Sequence, residues 1–240
     1  MNGKSLLLDF ITWINHDKRA KKSRLAQVTM LPKISIFLVL LCLHGKASEA
    51  KQGSTTSDIT SRQQEILQMA NNLMETLPIS YVYGGSNVTS ARECNLCTNC
   101  LLRKSPDSKN RLKKCPSCKN CSLDCSHFTQ VVYKLAGLHT PYINTSLMLS
   151  IKPSLLLRKY NLATIPNISS SEPGDLLVYQ GHVVILERRH PHFRGDIIHA
   201  TGGKDIKLPG QGIQRERNVS LVSFRGPLER ILRHSSLLPR

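Results

Sequence analysis

The chain has 240 residues, of which 40% are hydrophobic and 20% are charged. This length suits one folded domain with additional segments, and the composition is ordinary for a globular protein, which argues against a disordered chain. The net charge of +17 at pH 7 favours anionic partners, such as nucleic acids, acidic lipids or anionic cell-wall polymers.

An apolar run near the N-terminus predicts export. Residues 34–43 form this run behind a basic segment, and small residues follow it. The run is too short to span a bilayer but has the size of a signal-peptide core, whereas a buried core helix is the alternative. We therefore expect residues 1–50 to be a leader with its signal peptide in 30–50, and the protein to be exported to the periplasm or cell envelope. Residues 1–29 would be an over-extended start or a long basic n-region.

The next segments predict a linker, a helix and a loop. Residues 51–60 are polar and are typical of a short linker. Apolar side chains then recur at helical spacing from about Ser61 to Leu77, and Pro78 ends this predicted helix. Tyr81–Gly85 would form the loop that follows.

A cysteine-rich insertion occupies residues 86–123. Its six cysteines form two Cys-x2-Cys-x2-Cys triads: Cys94, Cys97 and Cys100, then Cys115, Cys118 and Cys121. Two Cys-x2-Cys pairs have the spacing of a four-cysteine zinc ribbon, so a structural zinc ion is one prediction. In an exported protein the same cysteines could form three disulfides, which the leader favours. A ferredoxin-type cluster that includes Cys125 also fits the spacing. With either zinc or disulfides, we expect the insertion to be a cross-linked hairpin.

The remaining chain predicts one long helix followed by strands. The helix would run from about Ser126 to Ala136, where Gly137 can stop it in a left-handed cap. Brief helices are expected around 146–151 and 155–160. Four strands are then predicted: Asp175–Tyr179, His182–Glu187, Asp196–Ala200 and Asn218–Phe224. Helices before antiparallel strands predict an α+β domain.

A cysteine and two histidines have the pattern of a thiol hydrolase. Cys125 lies at a predicted helix start that Asp124 can cap, and the helix N-terminus and a nearby imidazolium would lower the pKa of its thiol. His182 follows Gly181, which we expect to allow a close approach of the chain to the site, and can act as the base. His199 can orient that base. The alternatives are a small buried hydrophobic cysteine and a core histidine at a strand end.

Five sequence blocks, in this order, resemble the NlpC/P60 family of cell-wall cysteine peptidases. They are Tyr81-Val82-Tyr83-Gly84-Gly85, Asp124-Cys125-Ser126-His127-Phe128, Pro173-Gly174-Asp175-Leu176, His182-Val183-Val184-Ile185 and Ile198-His199-Ala200. His127 stands where the family has glycine, Tyr83 where it has tryptophan, and the cysteine insertion is an addition. The resemblance covers roughly residues 61–225, with 226–240 as a basic tail that could add a short helix, and implies a papain-like fold.

The resemblance implies an exported endopeptidase that cleaves peptide stems of bacterial peptidoglycan between γ-D-glutamate and a diamino acid. It implies Cys125 as nucleophile, His182 as base and His199 as the orienting residue, with no cofactor for catalysis. Residues at three matching positions would bind substrate: Tyr81, Asp124 and Ser126. The expected partners are the peptide stems and anionic cell-envelope polymers.

Three other functions are consistent with parts of the chain. Basic charge and Cys-x2-Cys pairs fit a zinc-knuckle nucleic-acid-binding protein, but the leader and the 5% aromatic content oppose specific nucleic-acid binding. A permuted acyltransferase or phospholipase shares the Cys-x-His-Phe text of Cys125–Phe128, but needs its histidine upstream, where no such block occurs. A non-catalytic wall-binding module is the third.

Overall fold

Helices occupy the first half of the described chain and an antiparallel sheet occupies most of the second, as expected for an α+β domain. The structure is a computed structural model that describes residues 56–105, 107–202 and 208–239. The predicted leader, 1–50, and the first half of the predicted linker lie outside these residues.

The helices agree with the predicted apolar periodicity except within the cysteine insertion. They are α1 (Thr56–Thr76), α2 (Ala91–Lys104), α3 (Arg111–Lys114), α4 (Cys125–Leu135), α5 (Thr145–Ser150) and α6 (Pro153–Tyr160). Helix α1 begins five residues before the predicted start, so the second half of the predicted linker is helical. Gly137 ends α4 with a φ of +73°, and the Leu138 N–H donates to the Tyr133 carbonyl, which confirms the predicted left-handed cap.

Nine strands form two sheets in the described chain. They are β1 (Ser80–Tyr81), β2 (Ser86–Val88), β3 (Cys121–Leu123), β4 (Leu162–Ile165), β5 (Leu176–Tyr179), β6 (His182–His190), β7 (Arg194–Ala200), β8 (Ile213–Ser220) and β9 (Leu228–His234). The small sheet has the order β1-β3-β2, with β1 and β3 parallel. The large sheet has the order β4-β9-β5-β6-β7-β8, and every neighbouring pair in it is antiparallel.

The centre of the large sheet is buried on both faces, since consecutive residues of β5, of the first half of β6 and of most of β7 are buried although their side chains alternate between the faces. One layer consists of packed apolar residues: Ile168, Leu177, Tyr179, Val184, Leu186, Ile197, Leu221 and Ile231. Helix α4 packs against β6 and β7, and α1 packs against α4. The start of α4 is thereby brought to the sheet.

The C-terminal segment forms an interior strand of the large sheet, where the sequence predicted a basic tail with at most a short helix. Strand β9 lies between β4 and β5, and a short 3₁₀ helix follows it at Ser235–Leu237. Its arginines are compatible with burial because each has partners. Arg233 Nε donates to Asp175 Oδ1 at 2.8 Å, and Arg230 Nη1 donates to the Met148 and Ile151 carbonyls at 2.8 and 2.9 Å.

Strand β8 begins five residues before the predicted Asn218–Phe224 strand and ends at Ser220. Its polar residues, Gln214-Arg215-Glu216-Arg217, lack the apolar alternation that predicts a strand, and two of these charged side chains are paired with neighbours in the fold. Arg215 Nε donates to Glu187 Oε2 at 2.8 Å, and Glu216 binds His199 at 3.0 Å.

The cysteine insertion is a disulfide ladder between α2 and the segment that leads into β3. The pairs are nested: Cys94–Cys121, Cys97–Cys118 and Cys100–Cys115. Spacing of three residues keeps the first triad on one side of α2, and a 3₁₀ turn at Pro116–Lys119 keeps the second triad on the facing side. Of the two predicted kinds of cross-link, zinc and disulfides, the structure contains the disulfides. The first arm of the cross-linked insertion is the helix α2.

Three disulfides are typical of a protein in an oxidising compartment. No helix of the described residues is long and apolar enough to cross a membrane.

Candidate active site

The small sheet brings Cys125 close to Tyr81. Strand β3 pairs with β1, with Leu123 opposite Tyr81, and continues through Asp124 into α4. The Asp124 N–H donates to the Gly85 carbonyl at 2.9 Å, which ties the loop of the first sequence block to the helix start. A side chain at Gly85 would place its Cβ 2.4 Å from Ser122 Oγ, so only glycine permits this approach.

Asp124 is the N-cap of α4. Its Oδ1 accepts hydrogen bonds from the His127 N–H at 2.8 Å and from Ser126 Oγ at 2.9 Å, and its Oδ2 accepts one from the Gly84 N–H at 3.2 Å. Burial raises the pKa of Asp124, but hydrogen bonds from the side chain and the backbone N–H of His127, together with that from Ser126, outweigh burial and lower it. Asp124 and Ser126, which the resemblance implies as substrate-binding residues, are both buried and serve in this cap.

Cys125 is the first residue of α4 and is only 6% exposed. Burial raises the pKa of its thiol, and the Asp124 charge adds to this effect, whereas backbone N–H groups of Val183 and of the helix start lower it. The net pKa is raised, so the expected lowering by the helix terminus is outweighed by burial. The hydrogen bond from the Val183 N–H also places the sulfur against the start of β6, the strand whose first residue is His182.

His182, His199 and Glu216 form a hydrogen-bonded chain across β6, β7 and β8. His182 Nε2 lies 2.7 Å from His199 Nδ1, and His199 Nε2 lies 3.0 Å from Glu216 Oε1. Phe224 packs on both rings, with centroids 6.4 Å from His182 and 5.4 Å from His199. The sequence predicted both histidines but not Glu216, because β8 was predicted too late in the chain to include it.

Burial and hydrogen bonding determine the protonation of this chain. Burial lowers the pKa of His182 to about 3, and the charges of His199 and Arg225 add to the effect. Burial also lowers the pKa of His199, while its hydrogen bond with His199 lowers that of Glu216. At neutral pH the two imidazoles are therefore neutral and Glu216 is a carboxylate.

The carboxylate then selects the tautomers of both rings. Glu216 can only accept, so His199 Nε2 carries the proton and His199 Nδ1 has the lone pair. His199 Nδ1 must accept from His182 Nε2–H, which leaves the lone pair of His182 on Nδ1. The chain thus presents a basic Nδ1 on His182.

A two-residue turn positions His182 at the first place in β6. Tyr179 and His182 pair across the turn, and Gly181 has a φ of +72°. A Cβ on Gly181 would meet no atom within 4 Å, so this glycine serves the turn rather than the close approach that we expected.

A cleft of about 690 Å³ opens beside these residues. Its described lining consists of Tyr81, Tyr83, Lys109, Gln180, Gly181, His182, Thr201, Gly202 and Arg225. Burial, followed by the charges of Cys125 and Asp124, raises the pKa of Tyr81 to about 12, so its phenol remains a hydrogen-bond donor. Gly202 packs on the ring, since a Cβ there would lie 2.3 Å from Tyr81 Cδ1.

No family model, curated protein or solved structure matches this chain. The described residues contain no group of three or more His, Cys, Asp or Glu side chains arranged to hold a metal ion. The six cysteines proposed as zinc ligands have no thiolate to offer while they are paired as disulfides.

Proposed function

We propose that this protein is an exported cysteine peptidase of the NlpC/P60 type, with a papain-like fold, that hydrolyses peptide stems of bacterial peptidoglycan. The observation that carries the proposal is a buried cysteine at a helix start, against the strand that begins with His182, whose ring is oriented through His199 by Glu216. A nucleophile, a base and an orienting group are the minimum set for thiol acyl transfer.

In the proposed reaction, His182 Nδ1 takes the thiol proton as Cys125 Sγ attacks the scissile carbonyl. The backbone N–H groups at the start of α4 and the Tyr81 hydroxyl stabilise the negative charge that develops on the carbonyl oxygen. His182 then gives its proton to the leaving amine, and a thioester remains on Cys125. Water, activated by the same imidazole, releases the acid and restores the thiol.

The directions of the pKa shifts favour a resting state in which Cys125 and His182 are both neutral. Burial raises the pKa of Cys125 and lowers that of His182, so the thiol keeps its proton until substrate arrives. The charged imidazolium forms only with the tetrahedral intermediate, and Glu216 stabilises it through His199. Such an interaction is stronger in the transition state than in the resting enzyme and therefore accelerates the reaction.

The burial of the two imidazoles also favours catalysis over a passive wall-binding role. Buried polar groups cost stability unless they are paired, and groups with strongly shifted pKa values cluster at functional sites. The substrate class rests on the five sequence blocks, while the predicted leader and the disulfides support action outside the cytoplasm.

The direct test is Cys125→Ala on the exported protein. We expect wild type to release soluble muropeptides from purified peptidoglycan, measured by chromatography and mass spectrometry, and the variant to release none. Ser154→Ala, at an exposed position of α6, is the matched control and should behave as wild type. Thermal unfolding and the disulfide pattern would verify the fold of each variant. Comparable release by a folded Cys125→Ala variant would falsify the proposal.

A further inference from the structure

The cleft beside His182 is positively charged in the described part of the chain. Two of its nine described lining residues, Lys109 and Arg225, are cationic, and none is acidic. They come from distant parts of the chain, since Lys109 belongs to the cysteine insertion and Arg225 precedes β9.

Residues of the cysteine insertion contact the wall of the cleft. Arg111 Nη1 donates to the Tyr81 carbonyl at 2.8 Å, two residues after Lys109. Val82, the neighbour of Tyr81, is fully buried in the hydrophobic cluster formed by the two inner disulfides and Leu101. The turn that carries Lys109 is capped by Asp107, whose Oδ1 accepts from the Asn110 N–H at 3.1 Å. The disulfide ladder thus supports one wall of the cleft.

Arg225 lies close to the hydrogen-bonded chain of His182, His199 and Glu216. Its Nη2 donates to Thr201 Oγ1 at 2.9 Å, and its positive charge lowers the pKa values of His182 and His199. Within the described chain, no carboxylate lies at ion-pair distance from Arg225 or Lys109. Arg225 lies within electrostatic range of Glu216, whose pKa it lowers, but the two side chains form no ion pair. Two cations that form no ion pair with a described carboxylate, and that face one cleft, have the chemistry of an anion subsite.

We propose that Arg225 and Lys109 bind a carboxylate of the substrate near the scissile bond, and that the disulfide-braced insertion is therefore a specificity element of the enzyme. This inference rests on the proposed peptidase function. A bound carboxylate would also neutralise the field of Arg225 at His182. The imidazole would then accept the Cys125 proton more readily, so a carboxylated substrate would activate its own base.

Binding tests the subsite without relying on turnover. The full-length exported chain carrying Cys125→Ala would be titrated by calorimetry with a short γ-D-glutamyl-diamino acid peptide whose carboxylates are free, and with the same peptide as its carboxamides. We expect the free carboxylates to strengthen binding by about ten- to a hundredfold, as a charge-assisted hydrogen bond permits. Arg225→Gln or Lys109→Gln should each remove most of this preference, whereas Lys113→Gln, an exposed lysine of the same insertion, should retain it.

Equal affinity for the two peptides, no binding of either, or a preference that survives both substitutions would overturn the subsite. A preference that is lost equally in Lys113→Gln would show only a general effect of charge and would overturn it as well. The proposed function fails separately, if the wild-type protein binds the carboxylated peptide selectively but cleaves neither it nor peptidoglycan.

Discussion

Glu216 provides the sharpest test of the hydrogen-bonded chain, because it acts only through His199. Glu216→Ala removes the acceptor that lies 3.0 Å from His199 Nε2 and frees both imidazoles to change tautomer. A hydrogen bond to a charged group contributes about 1.5–3 kcal/mol. The Glu216 side chain is 33% exposed, so water replaces part of the lost interaction and the lower half of that range applies. We therefore expect kcat/KM to fall by about 13- to 45-fold.

The loss should appear in kcat, because the carboxylate stabilises an imidazolium that exists only during the reaction. Glu216→Gln keeps an acceptor without its charge and should lose less, while Glu216→Asp should retain most activity. Glu187→Gln is the matched control, since Glu187 also lies on the large sheet but pairs with Arg215 at 2.8 Å.

The assay is the hydrolysis of a stem peptide under steady-state conditions, with the imidazole tautomers observed by nitrogen NMR. In the wild type, His182 should carry its proton on Nε2, and this signature should weaken in Glu216→Ala. Wild-type kcat in Glu216→Ala, or a loss confined to KM, would refute the orienting role. An equal loss of activity in Glu187→Gln would mean that the loss comes from a general disturbance of the large sheet and not from breaking the hydrogen-bonded chain.

Three further predictions concern the base, the disulfides and the response to pH. His182→Ala should abolish peptide release. His190→Ala should retain it, because His190 pairs with Asp196 at 2.9 Å and is not part of the hydrogen-bonded chain of His182, His199 and Glu216. Similar losses in both variants would contradict the assignment. The mature, unreduced protein should show one titratable thiol, Cys125, after denaturation, and a reductant should accelerate proteolysis within residues 94–121. If zinc co-purifies with the protein and a chelator unfolds it, the zinc alternative is favoured instead. Between pH 6.5 and about 3 the unfolded protein binds a proton at His182 that the folded protein does not. His182 should therefore contribute a fall of about 1.4 kcal/mol per pH unit to the free energy of unfolding below pH 6.5, and urea denaturation should show a shallower fall in His182→Gln. A slope that is the same in both proteins would argue against a buried neutral imidazole.

The local sequence determined the elements whose signals are local. Helical periodicity and a capping glycine predicted α1 and α4, because both depend on residues a few positions apart. Short apolar runs between turns likewise predicted β5, β6 and β7. Cys125, His182 and His199 were found in the same way, since each lies in a short block with its own turn or cap.

The elements that were missed depend on partners distant in the chain. Strand β9 was predicted as a tail because Arg233 looks solvent-exposed until Asp175 is placed beside it, 58 residues away. Glu216 became part of the candidate site only when β8 paired with β7, since its carboxylate reaches His199 across that register.

The sequence by itself therefore determined the α+β order of elements, the candidate nucleophile and the two histidines, because each of these is written in a few consecutive residues. Only the tertiary structure decided which cysteines are joined, since zinc and disulfide frameworks share the same spacing and differ in the distances between sulfurs. The tertiary structure also decided the sign of the Cys125 pKa shift, because the cost of desolvating a thiolate depends on what packs around it and not on its neighbours in sequence.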